Sequence, residues 1–196
     1  MSKYLTLNEL ELNEPVLAAR SLLGKKIIYN NNNQVLSGYI VETEAYHSDD
    51  PASHSFHGLT KSNKSLFMKA GTIYVYFTYG MHFCINIVTG EEGQGQAVLI
   101  RAIEPVDGIE VMKENRKTDV VSNLTNGPAK LTQAFGINKS IDGSNVIKGP
   151  IFLTQGTDPK EIVVDTRIGI SRAIDYPWRF YIKDNPFVSK LSKLNN

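Results

Sequence analysis

Cysteine is almost absent: the 196 residues contain one, Cys84. An internal disulfide is therefore excluded, and so are metal motifs built on paired cysteines. Its setting in the apolar run "HFCINIV" suits a small buried hydrophobe better than a nucleophile. Long hydrophobic runs are missing as well. None approaches the ~18 residues of a membrane span, and the opening "MSKYLTLNEL" has no apolar signal core, so a cytoplasmic location is expected. The chain has no GxSxG, no GxxxxGK[ST] and no HExxH, which disfavours acyl transfer, nucleotide hydrolysis and zincin chemistry. Between Pro51 and Gly90 there is no Asp, Glu or Arg at all, while Lys61, Lys64, Lys69 and three histidines fall in that window. The window is locally cationic, and both a solvated basic loop and a phosphate-facing surface fit it.

What remains is ordinary for a globular protein: 41% hydrophobic and 21% charged residues with a net charge of +1. The length suits one domain spanning 1–196, with a core from about 5 to 190. Asn13 as a cap, Pro15 in the first turn, the periodic "VLAARSLL" and the stop at Gly24 predict a helix. "KKIIYN" and "QVLSGYIVETEAY" flank an asparagine-rich turn and read as a hairpin. "TIYVYFTYG", "HFCINIV" and "AVLIRAIEP" then read as an antiparallel meander. Helices near 107–116 and 128–135 follow, the second ended by Gly136, with late strands at "PIFLTQ", "EIVVD" and "RFYIK". The predicted class is α+β, with a mostly antiparallel curved sheet flanked by helices.

Chemistry concentrates in "ETEAY". Strand alternation puts Glu42, Glu44 and Tyr46 on one face, with Val41, Thr43 and Ala45 facing the core. A solvated carboxylate pair is one reading. A cleft in which burial suits a carboxylate to general-base work is the other, favoured by the polar segment "YHSDDPASHSFHG" at the strand's exit. His47, Asp49, Asp50, His54 and His57 include metal-ligating types, but their spacing matches no metal motif, so no metal site is expected. Tyr74, Tyr76 and Thr78 share a strand face. Tyr79 falls where the strand turns, either plugging a neighbouring cavity or protruding as a wedge for a base stack. Arg101 is a lone charge in an apolar strand and needs a carboxylate partner, for which Glu44 is a candidate. Asn86 is a similar polar intrusion, either structural or a discriminating pocket contact.

In order along the chain, "LLGK", "VETEAY", "PASHS", "LFMKAGTIYVYFTYGM", "LIRAIEP", "NGPAKLTQAFGINKS", "RIGIS" and "RFYI" resemble the alkyladenine type of 3-methyladenine DNA glycosylase. The likeness spans nearly the whole chain. It implies a DNA-repair enzyme that flips alkylated or deaminated purines out of duplex DNA and hydrolyses the N-glycosidic bond, with no cofactor, membrane or obligate protein partner. By that resemblance Glu44 activates the water, and Arg101 and the carbonyl of Ile168 help hold it. Tyr46 stacks on the base, and His54 and Tyr76 form the other side of the pocket. Asn86 crowds the 2-amino group of guanine, Leu99 lines the pocket, and Tyr79 enters the duplex from a β-hairpin. Glu42 is then a neighbour of the site. Two departures stand out: the segment between Tyr46 and His54 is a residue shorter than the family pattern, and Ala70 replaces a common proline. Two other readings of the residues are a glycoside hydrolase using Glu42 and Glu44 as an acid and base pair, and a noncatalytic damaged-DNA-binding protein.

Overall fold

The apolar runs fold into one curled antiparallel sheet of eight strands, seen in a computed structural model that describes residues 4–31, 34–78 and 80–189. The strands are β1 (Lys26–Asn31), β2 (Gln34–Tyr46), β3 (Ile73–Thr78), β4 (His82–Thr89), β5 (Gln96–Asp107), β6 (Ile151–Thr154), β7 (Ile162–Asp165) and β8 (Arg179–Ile182). Their order is β3-β4-β5-β2-β1-β6, and β8 pairs with both β2 and β7. The expected hairpin and meander are present, although the hairpin turn at 32 and 33 lies outside the described residues. Strand β2 is the hub. Its first half pairs with β1 and its second half with β8, while β5 runs along its other edge.

Three α-helices accompany the sheet among the described residues: α1 (Pro15–Ser21), α2 (Ile109–Arg116) and α3 (Pro128–Phe135). The expected Asn13 cap is displaced by one residue. Glu14 takes the position, and its carboxylate accepts from the amides of Val16 and Leu17, because a glutamate in extended backbone can reach back over the first turn. At the other end Gly24, with φ of +78°, leads the chain back toward the sheet. A Cβ there would lie 1.9 Å from the carbonyl oxygen of Thr157, so only glycine fits.

The helix-covered face of the sheet is the core. Ala45, Ile73, Val75, Ile85, Ile87, Val98 and Ile100 point into it and meet Ala18, Ala19, Leu131 and Phe135 from the helices. Burying the valine, leucine, isoleucine and phenylalanine side chains stabilises by about 1.5–3 kcal/mol each. Two hydroxyls tie the layers: Thr43 donates to the carbonyl of Ala19 at 2.7 Å, and Thr132 to that of Phe83 at 2.7 Å. Strand β3 is the sheet's edge, and the outward groups of Ile73 and Val75 are paired. The Val75 amide donates to Asp142, the Val75 carbonyl accepts from Lys139, and the Ile73 amide donates to Ser144. An open edge of this kind is a pairing hazard, and the 139–144 segment covers its first half.

A candidate active-site pocket

The opposite face of the sheet is buried too, which corrects the solvated-pair reading of "ETEAY". Glu42 and Glu44 are both 0% exposed, because the chain after β2 and the segment after β7 fold over that face as a roof. Between roof and sheet lies a cavity of about 500 Å³ lined by Tyr46, Ser53, His54, Tyr74, Tyr76, Cys84, Asn86, Leu99, Arg101 and Ile168, among others. That volume suits a small flat ligand.

Register assembles the wall. Tyr74 pairs with Asn86, Asn86 with Leu99, Leu99 with Glu44, and Glu44 with Arg179, forming one row across β3, β4, β5, β2 and β8. Adjacent strands carry directly paired side chains on a common face, so residues far apart in sequence meet. The ladder between β2 and β5 is irregular between Ser37 and Gly38 and again around Glu42, and the second irregularity shapes the site. Ile40 pairs with Ile103, Glu42 with Ala102 and Thr43 with Ile100, which leaves Val41 and Arg101 without partners in the register. Bulges of this kind re-aim a side chain, and here Arg101 turns toward both carboxylates of β2. Its Nε donates to Glu42 Oε1 at 3.1 Å, and its Nη1 lies 3.1 Å from Glu44 Oε1. Burial works against a charged guanidinium, yet Glu44 and Glu42 together raise the Arg101 pKa above its ordinary value.

The two glutamates differ in what they can do. Glu42 is consumed by structure: Oε1 accepts from Arg101, from Arg179 at 2.7 Å and from the Ser189 hydroxyl at 2.7 Å, and Oε2 accepts from the Ser189 amide at 2.7 Å. Neither glutamate is among the residues that line the cavity. An acid and base pair needs both carboxyls free to act on the substrate, and both Glu42 oxygens are engaged by Arg101, Arg179 and Ser189. Glu44 stands directly behind the cavity wall, held by three lining residues. Arg101 approaches Oε1, the Ile168 amide donates to Oε1 at 2.8 Å, and the Tyr46 hydroxyl donates to Oε2 at 2.9 Å. Ile168 thus holds Glu44 by its N–H and also lines the cavity. A carboxylate accepts about four hydrogen bonds, so Oε2 keeps one acceptor site beyond those that the described residues fill.

Aromatic edges form the rest of the pocket. His54 Nδ1 lies 2.8 Å from the Tyr74 hydroxyl, and its ring meets Tyr76 edge-on at 4.4 Å between centroids. Burial of that ring lowers the His54 pKa, although much of the residue remains exposed at the mouth. Burial, then the Glu44 charge and hydrogen bond, push the Tyr46 phenol well above its usual range, so it stays protonated and donates. Asn86 donates to the Tyr74 carbonyl at 3.1 Å, which is the hydrogen-bonded reading, and it also lines the cavity. Cys84 is buried as expected but also lines the pocket, and burial pushes its thiol up.

The His and Asp cluster after β2 is dispersed among other partners. His47 pairs with Asp49, His54 with Tyr74, and Asp50 with Arg167. Among the described residues no three His, Cys, Asp or Glu side chains converge as a cation site would need. Tyr79 lies outside the described residues. Its neighbours Phe77 and Met81 are exposed, at 56% and 68%. Sequence reasoning gave no role to Tyr74, Arg167 or Arg179, although Tyr74 shares the face of Tyr76 and the two arginines open the motifs "RIGIS" and "RFYI". Arg179 carried a signal of the same kind as Arg101, a charge at the head of an apolar run.

The fold and site define a class: an α+β protein whose sheet carries an aromatic-lined pocket with a buried, hydrogen-bonded carboxylate behind its wall. The family model for "Methylpurine-DNA glycosylase (MPG)" matches residues 9–186. A protein of Francisella tularensis subsp. tularensis (strain FSC 198) named "Putative 3-methyladenine DNA glycosylase" is 52% identical over 178 residues, covering 88% of this chain and 92% of its own. Proteins bearing the same name from Carboxydothermus hydrogenoformans and Methanoculleus marisnigri are 48% and 44% identical, covering 89% and 90% of this chain and 93% and 94% of their own. The chain belongs to the methylpurine-DNA glycosylase family and is a DNA-repair glycosylase that acts on DNA. No helix among the described residues is long and apolar enough to cross a membrane.

Proposed function

We propose that this protein excises damaged purines, namely 3-methyladenine, 7-methylguanine, hypoxanthine and ethenoadenine, from duplex DNA by water addition and leaves an abasic site. The observation that carries the reading is the setting of Glu44. It is a fully buried carboxylate at the pocket wall, oriented by Tyr46, Arg101 and the Ile168 amide, with acceptor capacity left at Oε2. A target inside a duplex must first leave the stack, and a base weakened in pairing by damage leaves at lower cost. The flipped purine then stacks on Tyr46, with His54 and Tyr76 opposite and Asn86 and Leu99 along its edge.

As the bond from C1′ to the base nitrogen breaks, its electron pair departs with the base and positive charge builds on the sugar. The Glu44 carboxylate stabilises that charge. A water attacks C1′ and gives its proton to Glu44 through the open site on Oε2. A Schiff-base route would need an amine, and among the described residues that line the pocket there is no lysine, which supports hydrolysis without backbone cleavage. Base release is expected to persist in chelator. Tyr79 fills the gap left in the duplex, so Tyr79→Ala should weaken both retention and excision of damaged duplex, and unchanged excision would remove the wedge from the scheme.

The test of the main reading is one pair of assays with duplexes carrying each lesion. Glu44→Gln is expected to lose base release by several orders of magnitude while still binding the duplex. Excision at the parent rate by Glu44→Gln would overturn the role of Glu44. Binding without any base release by the parent would leave a noncatalytic damaged-DNA-binding protein.

A further inference from the structure

Over the Tyr46 ring lies a buried cation that the chemistry above does not use. The guanidinium of Arg167 sits 4.7 Å from the Tyr46 ring centroid and 5.2 Å from that of Trp178, so it lies over both rings. It is pinned in plane by Asp50, with Nη1 and Nη2 donating to the two carboxylate oxygens, and by the carbonyl of Ala45 at 3.0 Å. Both charged side chains are 0% exposed. A buried ion pair of this kind is often neutral in stability against apolar residues of the same shape, so stability alone is a weak reason for it. What it joins is specific. Asp50 adjoins the Pro51–His54 part of the cavity lining, Arg167 precedes the Ile168–Arg172 part, and Ala45 and Tyr46 belong to β2 between them.

We propose that Arg167, clamped by Asp50, is a positioning residue for base excision: it fixes the plane of the Tyr46 ring, and with it the hydrogen bond from the Tyr46 hydroxyl to Glu44. Arg167 touches neither base nor sugar and acts through Tyr46. The planar guanidinium suits the task because it stacks on a ring face and engages a carboxylate in its own plane at the same time, which an ammonium does not do. Tyr46 thus carries a fixed cation over its ring while it also lines the cavity. The ring cannot tilt without breaking the stack or moving its hydroxyl off Oε2. This inference rests on the reading of Glu44 and Tyr46 given above.

The test avoids leaving one buried charge alone. The paired variant Asp50→Asn/Arg167→Met removes both charges at similar volume, and thermal unfolding checks that it folds. Single-turnover release of hypoxanthine and equilibrium binding to a duplex carrying an uncleavable abasic analogue are measured in the parent, the pair, Tyr46→Phe and the combination. The pair is expected to bind within about twofold of the parent and to excise on the order of ten- to a hundredfold more slowly, the cost of a misplaced reacting group. In the Tyr46→Phe background, where the hydroxyl is gone, the same pair should slow excision by less than about threefold, because coupled residues are not additive. Arg167→Lys should resemble the pair. Parent-like excision by a folded pair, or an equal loss with and without the Tyr46 hydroxyl, overturns the proposal while leaving the glycosylase reading intact. If the pair fails to fold, Arg167→Lys is carried through the same cycle with Tyr46→Phe, and the same two results would overturn the proposal. A parent that releases no damaged purine, or a Glu44→Gln that excises like the parent, overturns the underlying reading and this inference with it.

Discussion

Two glutamates separated by one threonine have opposite fates, and the difference lies in what surrounds each carboxylate. Glu42 accepts from two arginines and both groups of Ser189. Glu42→Gln would turn an amide N–H₂ toward those donors and leave two buried guanidinium groups short of a counter-charge. The expected outcome is a loss of about 3–5 kcal/mol in urea unfolding, the usual cost of breaking a buried pair from one side. A loss under ~1 kcal/mol would show that Glu42 is not the anchor its contacts describe. His54 gives a pH signature. Its folded pKa is lowered by burial of the ring, below the ordinary ~6.5 of the unfolded chain. Between those two values the unfolded state holds more protons, so stability rises with pH there. The His54 contribution is therefore fully present above about pH 6.5 and lost as pH falls through the folded pKa. NMR titration of the imidazole should give a midpoint under ~6.5, and His54→Phe should flatten the stability loss below that pH. A midpoint at or above ~6.5 would contradict the packing of the ring against Tyr76.

Elements explain why the strands and helices were legible and the cleft was not. The runs "HFCINIV" and "AVLIRAIEP" announce strands through branched and aromatic residues, and Gly136 ends α3 in left-handed backbone, as its φ of +67° requires. Alternation along β2 correctly put Glu42, Glu44 and Tyr46 on the face away from the core. It could not say that this face is roofed, because the roof comes from segments before Asn63 and after Asp165 with no periodicity of their own. Nor does any local pattern encode the break between β2 and β5 that turns Arg101 onto Glu44. The edge strand offers a prediction at this scale. Asp142 accepts from the Val75 amide at 2.8 Å and from the Ser65 hydroxyl at 2.7 Å, joining β3 to the pocket's far wall. Asp142→Ala should cost about 1–3 kcal/mol, the penalty for an unsatisfied buried donor. Val75 should then exchange its amide hydrogen markedly faster, and unchanged exchange would show that the 139–144 segment does not protect the edge.

At the scale of the whole molecule, one sheet carries both the core and the pocket, so the two should fail together. Trp178, the single tryptophan, packs against the core and over Arg167 beside the site. Its fluorescence and far-UV circular dichroism are expected to report one coincident urea transition. A fluorescence change preceding the loss of sheet signal would mean that the roof unfolds separately from the sheet. By itself the sequence determined the α+β class, the element order, the face shared by Glu44 and Tyr46, and through its ordered motifs the family, because these depend on local periodicity, turn chemistry and residue identity. Only the tertiary structure decided that both glutamates are buried, that Glu42 serves the arginines while Glu44 reaches the pocket wall, and that Arg167 lies over the Tyr46 ring. Those outcomes depend on strand register and on loops closing over a sheet face. The forces that set them act between residues more than a hundred positions apart, as from Asp50 to Arg167, where no local pattern carries a trace.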